Sequence, residues 1–339
     1  PNRDGGIMKA LVTGGGGFLG GAIVRLLRAR GDEVRSLSRQ RYPALDALGV
    51  EQVQGDIADA GAVQQACAGC ELVFHVAAKA GVGGRLSDYH RANVMGTQHV
   101  LKACLEAGIA RLVYTSSPSV VFNGQDMEGV DESVPYPRHY EAHYPRTKAE
   151  AEQAVRAANG PHLATVSLRP HLIWGPGDNH LVPRILARRR AGRLHRIGRA
   201  EKRIDSVYID NAAEAHLLAA DRLAPGSAIA GKVYFISNGE PVPTWDLVNR
   251  ILAAGGLPPV DRSIPGGVAY AVGGLLEAIY ALVAPDSEPP MTRFLARELA
   301  TSHWFDLSAA RRDLGYAPKV SLDEGLRRLA EHLQHAPSA

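Results

Sequence analysis

The chain of 339 residues carries 38 Lys and Arg against 35 Asp and Glu, a net charge of +3, too small to make nucleic acid or an anionic membrane the default partner. Its 45% hydrophobic and 22% charged residues, with 36 glycines scattered without period, exclude a disordered or collagen-like chain and fit a globular protein of two domains or one large one. Three cysteines, Cys67, Cys70 and Cys104, argue against a disulfide framework and for a reducing, cytoplasmic setting.

The stretch ahead of Met8 has neither a basic run nor an apolar segment; it does not read as a signal peptide and is set aside as an extension. From Met8 the chain alternates short β-branched runs (KALVT, DEVRSLS, VEQVQ, ELVFHVA, RLVYTSS, LATVSLR) with amphipathic helical patterns such as FLGGAIVRLLRARG, NVMGTQHVLKACLEAG and TKAEAEQAVRAANG. Six strands with helical crossovers predict an α/β fold with a doubly wound parallel sheet. After about Pro170 the punctuation changes to WGPGD, PVPTW and GGLPPV, which predicts a Rossmann domain over 8–170 and a smaller, mainly helical substrate region over 171–335. The run VYFISN reads as a strand that returns to the sheet, so segments near 205–240 belong with the first domain. Ser321 and Glu324 form a capping box that opens the last helix.

The first strand enters TGGGGFLG, where Gly14, Gly17 and Gly20 lie three apart just ahead of a helix that begins at Phe18 and Leu19. Absent side chains let backbone amides approach a pyrophosphate, and the helix N-terminus adds partial positive charge. The end of the second strand is where a carboxylate would hold the 2′-hydroxyl of NAD. Here it reads SLSRQR, and Ser38 with Arg39 suits a 2′-phosphate, so NADP(H) is the expected cofactor. Arg41 reads as a solvated loop residue. Asp56 and Ile57 follow the third strand and would flank the adenine.

Tyr144 and Lys148 are four apart, with Pro145 suited to a helix's first turn, so their side chains share a face. Ser116 and Ser117 end the fifth strand, where parallel sheets form their ligand crevice. Hydride addition to a carbonyl needs a donor on the developing oxyanion and an acid to protonate it. A tyrosine backed by an ammonium, with a serine beside it, supplies both.

These motifs, with the AA of HVAAKAG, LRPHLIWGPGD and VYIDNAAEAH, resemble those of the extended short-chain dehydrogenases/reductases. NVMGTQHVLKAC, PPMTRF and SHWFDLSAARRDLGYAP resemble its 3β-hydroxysteroid dehydrogenase-like branch. The resemblance implies Tyr144 as proton donor and acceptor, Lys148 on the nicotinamide ribose and lowering the tyrosine pKa, and Ser117 on the substrate carbonyl, with Ser116 as alternate. It implies Ala77 and Ala78 on the ribose side and Pro170 and Ile173 beside the nicotinamide. Asn93 matches a position that supports a proton relay, and helix capping reads equally well. Lys79 departs from the pattern and has no assigned role. Within the branch the chain is similar to bacterial NADPH-dependent reductases of olefin biosynthesis. That implies reduction of a long-chain, apolar 2-alkyl-3-oxo acid to the 3-hydroxy acid, a homodimer, and a place in a pathway enzyme assembly. The alternatives are a 3β-hydroxysteroid or sterol dehydrogenase and, more distantly, a non-catalytic NADP-sensing protein.

Other features read more blandly. Cys67 and Cys70 have the spacing of a redox or metal pair but no second pair of ligands, so no metal is expected. His75 reads as a core histidine, and His171 as either a core residue or a substrate contact. Nine Lys or Arg between Arg184 and Arg203 read as a solvated face or a funnel for an anionic substrate. Val268–Ala284 is apolar but falls short of the roughly 20 residues of a membrane span. It reads as a buried or lid helix, with interfacial membrane contact or an oligomer interface as alternatives; with Trp245, Phe294 and Trp304 it could roof a long substrate, and a core reading of those aromatics is equally good.

Overall fold

The computed structural model describes residues 7–81 and 83–335. Seven strands form the central sheet: β1 (Lys9–Thr13), β2 (Glu33–Ser38), β3 (Glu51–Gln54), β4 (Leu72–His75), β5 (Arg111–Thr115), β6 (Ala164–Pro170) and β7 (Val233–Ile236). Their order is β7-β6-β5-β4-β1-β2-β3, and every neighbouring pair is parallel. The order reverses between β1 and β4, which opens a crevice at the carboxyl ends of those strands. VYFISN does return to the sheet, as the edge strand β7.

Both faces are covered, and β1 shows why its run is continuously apolar. Ala10 and Val12 belong to one core with Ile23 and Leu27 of the helix Phe18–Ala29, while Leu11 belongs to the other with Val63, Val100 and Val155. A strand buried on both sides cannot alternate polar with apolar. The helix Ile209–Arg222 packs beside Phe18–Ala29, while Ala60–Cys67, Gly96–Glu106 and His143–Ala157 cover the opposite face.

A second sheet of four short strands orders Val242–Pro243, Arg203–Ile204, His303–Phe305 and Met127–Val130. It draws chain from four distant places to one side of the crevice. The last helix, Leu322–His335, has half of the expected box: Ser321 Oγ accepts from Glu324 N at 3.2 Å, while the Glu324 carboxylate turns to Arg327 and Arg328.

The long apolar helix, Gly266–Val283, corrects the buried-helix reading. Only Ala269 and Gly273 are buried, whereas Val268, Val272, Leu275, Ile279 and Leu282 are exposed. A Cβ on Gly273 would lie 2.6 Å from the Thr292 carbonyl carbon, so the helix leans on Arg293–Ala300 through its small residues. With mean hydropathy 1.6 over 18 residues, it sits at the short end of what crosses a bilayer.

Candidate active site

The glycine turn is a cradle that side chains would fill. Gly14 adopts a φ of +72°, open to glycine, and its amide donates to Leu37 O at 2.8 Å, tying the turn to β2. Gly17 N donates to Gly14 O at 2.9 Å, and Gly17 caps the helix Phe18–Ala29 with no side-chain bond. The helix's first amides therefore stay available to an anion. A Cβ on Gly20 would meet Gly14 O at 2.1 Å, and one on Gly14 would meet Ala77 Cα at 3.1 Å. Leu19 is buried beneath the turn and Phe18 half-buried. The pyrophosphate of a nicotinamide dinucleotide fits this donor set.

Around the cradle, Ser38 ends β2 with no carboxylate beside it, its Oγ lying 3.3 Å from Ser36 Oγ. Arg39 is exposed, and its guanidinium has no partner among the described residues, whereas Arg41 is held by Asp46 at 2.9 Å. Asp56 accepts from Ala58 N at 2.9 Å and pairs with Arg91 at 3.0 Å, and Ile57 is buried against Gly96. Ala77 N donates to Thr13 Oγ1 at 3.1 Å, and Ala78 is exposed.

Tyr144 and Lys148 occupy the first two turns of the helix His143–Ala157. Strand β5 ends at Thr115, so both serines lie just past it. Ser117 caps the short helical turn Pro118–Val121, accepting from Ser119 N at 3.2 Å with its Oγ 2.9 Å from Ser119 Oγ, and it lines one cavity with Tyr144. Ser116 is 4% exposed, its buried Oγ has no hydrogen-bond partner among the described residues, and of the two serines only Ser117 lines that cavity. Lys148 is buried; its Nζ donates to Thr115 O at 2.5 Å and lies 4.2 Å from the centre of the Tyr114 ring.

Burial pushes the Tyr144 hydroxyl up to about 12, with the neighbouring Ser117 hydroxyl pulling it down and Glu298 pushing it up. Burial also pushes Lys148 down to about 7, against the pull of Glu152. The protein alone thus holds the tyrosine protonated, an acid rather than the phenolate expected from a neighbouring ammonium. Burial is the reason, while the lysine's head is engaged by Thr115 O and the Tyr114 face.

One feature behind the pair was missed in the sequence. Glu152, one turn beyond Lys148, forms a buried ion pair with Arg169 (2.6 and 2.9 Å) and accepts from Tyr136 Oη at 2.5 Å. The spacing 144, 148, 152 on one helix face is the signal that could have found it. Asn93 is no helix cap: it lies in a π-helical turn, accepting from Lys79 N at 2.7 Å and donating to Lys79 O and to Thr147 Oγ1, both at 3.0 Å. It pins the strand-to-helix loop to the catalytic helix next to Lys148. Lys79 gains a place as well, with its Nζ 5.2 Å from the centre of the Tyr89 ring.

A cavity of about 200 Å³ opens on Ser117 and Tyr144 and is lined by Phe122, Phe294, Phe305, His171, Glu298 and Pro170, among others. The expected roof is corrected here: of the aromatics named, only Phe294 lines this cavity. Trp245 is buried in the core away from it, and Trp304 packs on Gly129. No residue of 184–203 lines this cavity; Arg184, Arg188 and Arg193 line a separate cavity of about 270 Å³ with Pro290 and Met291. Arg184 pairs with Glu288 at 2.6 Å, and Arg188 and Arg189 bond the carbonyls of Pro290, Pro258 and Pro259.

His171 and Pro170 face the cavity, while Ile173 pairs with Val207 in a two-residue strand. Between them Leu172 has a φ of +42°, a left-handed conformation that L-residues rarely adopt. Glu298 had no distinguishing signal beyond an acid four residues after Phe294 on one face; burial pushes it up to about 8. His75 is the core residue expected, its two nitrogens 2.8 and 2.9 Å from Thr13 and Thr97 hydroxyls. All three cysteines are buried.

Residues 11–265 match the 3-beta hydroxysteroid dehydrogenase/isomerase family. The 2-alkyl-3-oxoalkanoate reductase of Stenotrophomonas maltophilia (strain K279a) is 54% identical, over 95% of this chain and 98% of that one. The decarboxylating sterol-4-alpha-carboxylate 3-dehydrogenase of Mus musculus is more distant, 33% identical over 96% of this chain and 91% of that one. In fold, the chain is similar to the UDP-glucose 4-epimerase of Thermus thermophilus, solved with NAD, at a TM-score of 0.74 and 24% identity, covering 97% of this chain and 100% of that one. The chain belongs to the 3-beta hydroxysteroid dehydrogenase/isomerase family, and with it to the extended short-chain oxidoreductases that interconvert a carbonyl and an alcohol with a nicotinamide cofactor.

Proposed function

We propose that the protein is an NADPH-dependent reductase of long-chain 2-alkyl-3-oxo acids, forming the 3-hydroxy acid. The observation that carries this reading is the cavity, which sets Ser117 and Tyr144 against a wall of Phe122, Phe294 and Phe305. An apolar wall around one pair of donors suits a carbonyl on an aliphatic chain. About 200 Å³ holds the reacting head and its first methylenes, and the chains extend beyond it. The relative with 54% identity supports the same substrate class.

A reduced nicotinamide, when bound, supplies the hydride to the carbonyl carbon. The Ser117 and Tyr144 hydroxyls donate to the carbonyl oxygen and hold the charge that develops there. Tyr144, kept protonated by burial, gives its proton to the new alkoxide. Lys148, one turn along the same helix, carries at Nζ the positive charge that steadies the phenolate left behind. Asn93, bound to Thr147 and the Lys79 backbone, keeps that helix in register with the loop after β4. For the cofactor, the absence of a carboxylate after β2 and the unpaired Arg39 support a 2′-phosphate held by Arg39 and Ser38.

The test follows NADP⁺ reduction at 340 nm with a long-chain 2-alkyl-3-hydroxy acid beside a 3β-hydroxysteroid, with Tyr144→Phe as the blank. Turnover of the hydroxy acid is expected. Turnover of the steroid alone would replace this reading with the sterol one, and silence with both despite tight NADP⁺ binding would leave a sensor.

A further inference from the structure

We infer that His171, backed by Asp205, receives the substrate's carboxylate and makes the site selective for a 3-oxo acid over a neutral ketone; this rests on the substrate class proposed above. In a 3-oxo acid the carboxylate sits on the carbon next to the carbonyl, so once the ketone oxygen is held by Ser117 and Tyr144 the anion ends inside the same cavity. A buried anion without a partner is costly. The arginines of 184–203 do not line this cavity; its basic side chains are His171 and His303.

Of these two, His303 has Nε2 engaged with Thr301 Oγ1 at 2.6 Å, and burial pushes it down to about 3. His171 is placed differently. Its Nδ1 lies 2.8 Å from Asp205 Oδ1. A carboxylate only accepts, so Nδ1 donates and the ring's orientation is fixed. Asp205 is itself anchored, 1% exposed, with Oδ2 accepting from Ser237 Oγ at 2.7 Å and Phe305 N at 3.1 Å. The ring stacks on His303 at 6.0 Å between centroids with 6° between planes, and meets the Phe305 ring edge-on at 5.1 Å.

Nε2, on the other side of the ring, has no hydrogen-bond partner among the described residues, on a side chain that lines the cavity with Tyr144. When Nε2 donates to a carboxylate the ring carries both protons, and its charge is balanced by Asp205 behind and the substrate in front. The remaining ionisable group of the cavity, Glu298, is pushed by burial toward its neutral form and adds no repulsion at neutral pH.

The experiment compares the 2-alkyl-3-hydroxy acid with its methyl ester on the full-length enzyme and on His171→Asn, whose amide can keep the bond to Asp205 while lacking Nε2. Wild type is expected to favour the acid by roughly 10- to 100-fold in kcat/KM, the range of a charge-assisted hydrogen bond. His171→Asn should lose that preference through KM for the acid, with the ester unchanged within about threefold. Equal use of acid and ester by wild type overturns the inference even if the variant does not fold. So does a variant that loses both substrates in proportion. A wild type inactive on the acid but active on a steroid removes the functional reading itself, a distinct outcome.

Discussion

The cradle proposed for the cofactor and the cavity proposed for the substrate both lie past the carboxyl ends of central strands but are made by opposite means. The cradle is backbone: Gly14, Gly17 and Gly20 work because they lack side chains, and all lie within one turn. The cavity is side chain, drawn from Ser117, Tyr144, His171, Phe294, Glu298 and Phe305 on five separate segments. A site made of absent atoms is specified locally and shared widely. One made of present atoms depends on the whole fold and can be re-cut for a new substrate without touching the other.

The largest expected break in that comparison is Tyr144→Phe. Removing the acid should lower kcat by about 1,000-fold, while NADPH affinity, read by fluorescence titration, stays within about threefold of wild type. Next is Gly20→Ala, whose Cβ would meet Gly14 O at 2.1 Å. Dinucleotide affinity should fall about 100-fold, the upper part of the ~1–3 kcal/mol that overpacking costs. Unaltered affinity would show that the turn relaxes. Arg39→Ser should shrink the preference for NADPH over NADH by about tenfold, one charge-assisted contact, measured as the ratio of kcat/KM values; an unchanged ratio would move the phosphate contact elsewhere.

The smallest effect sharpens the cavity side. Glu298 sits near 8 in the folded protein against an ordinary 4.5, so the folded state binds the extra proton between those values. Stability attributable to this group therefore declines as pH rises from about 4.5 to about 8, and is level beyond. Glu298→Gln, which never ionises, should melt about 2–4 °C above wild type at about pH 9 and no higher at about pH 4. An equal gain at both would point to packing instead.

The same contrast explains what could be read from the chain. Strands β1 to β7 and the cradle were legible because each is a local pattern: an apolar run, a glycine spacing, a helix start. Tyr144 and Lys148 were legible because helical periodicity puts residues four apart on one face. Asp205 was not, since its meaning lies in contacts with residues 34 and 100 positions away, His171 and Phe305. The basic segment 184–203 could not be read by number alone, because the guanidiniums of Arg184, Arg188 and Arg189 are engaged by Glu288 and by proline carbonyls. The buried-helix reading failed because apolarity reveals that a helix seeks cover without revealing whether its own fold provides it.

Leu172, wedged at φ +42° between a residue that lines the cavity and the strand that follows, has a consequence for how this enzyme can be improved. A left-handed leucine costs about 1–3 kcal/mol relative to a relaxed residue, a handicap that selection for durability alone would remove with a single change to glycine. That change would make the hinge behind His171 the loosest joint in the crevice. Variants selected for heat resistance alone should therefore alter Leu172, and should become less discriminating as they become hardier.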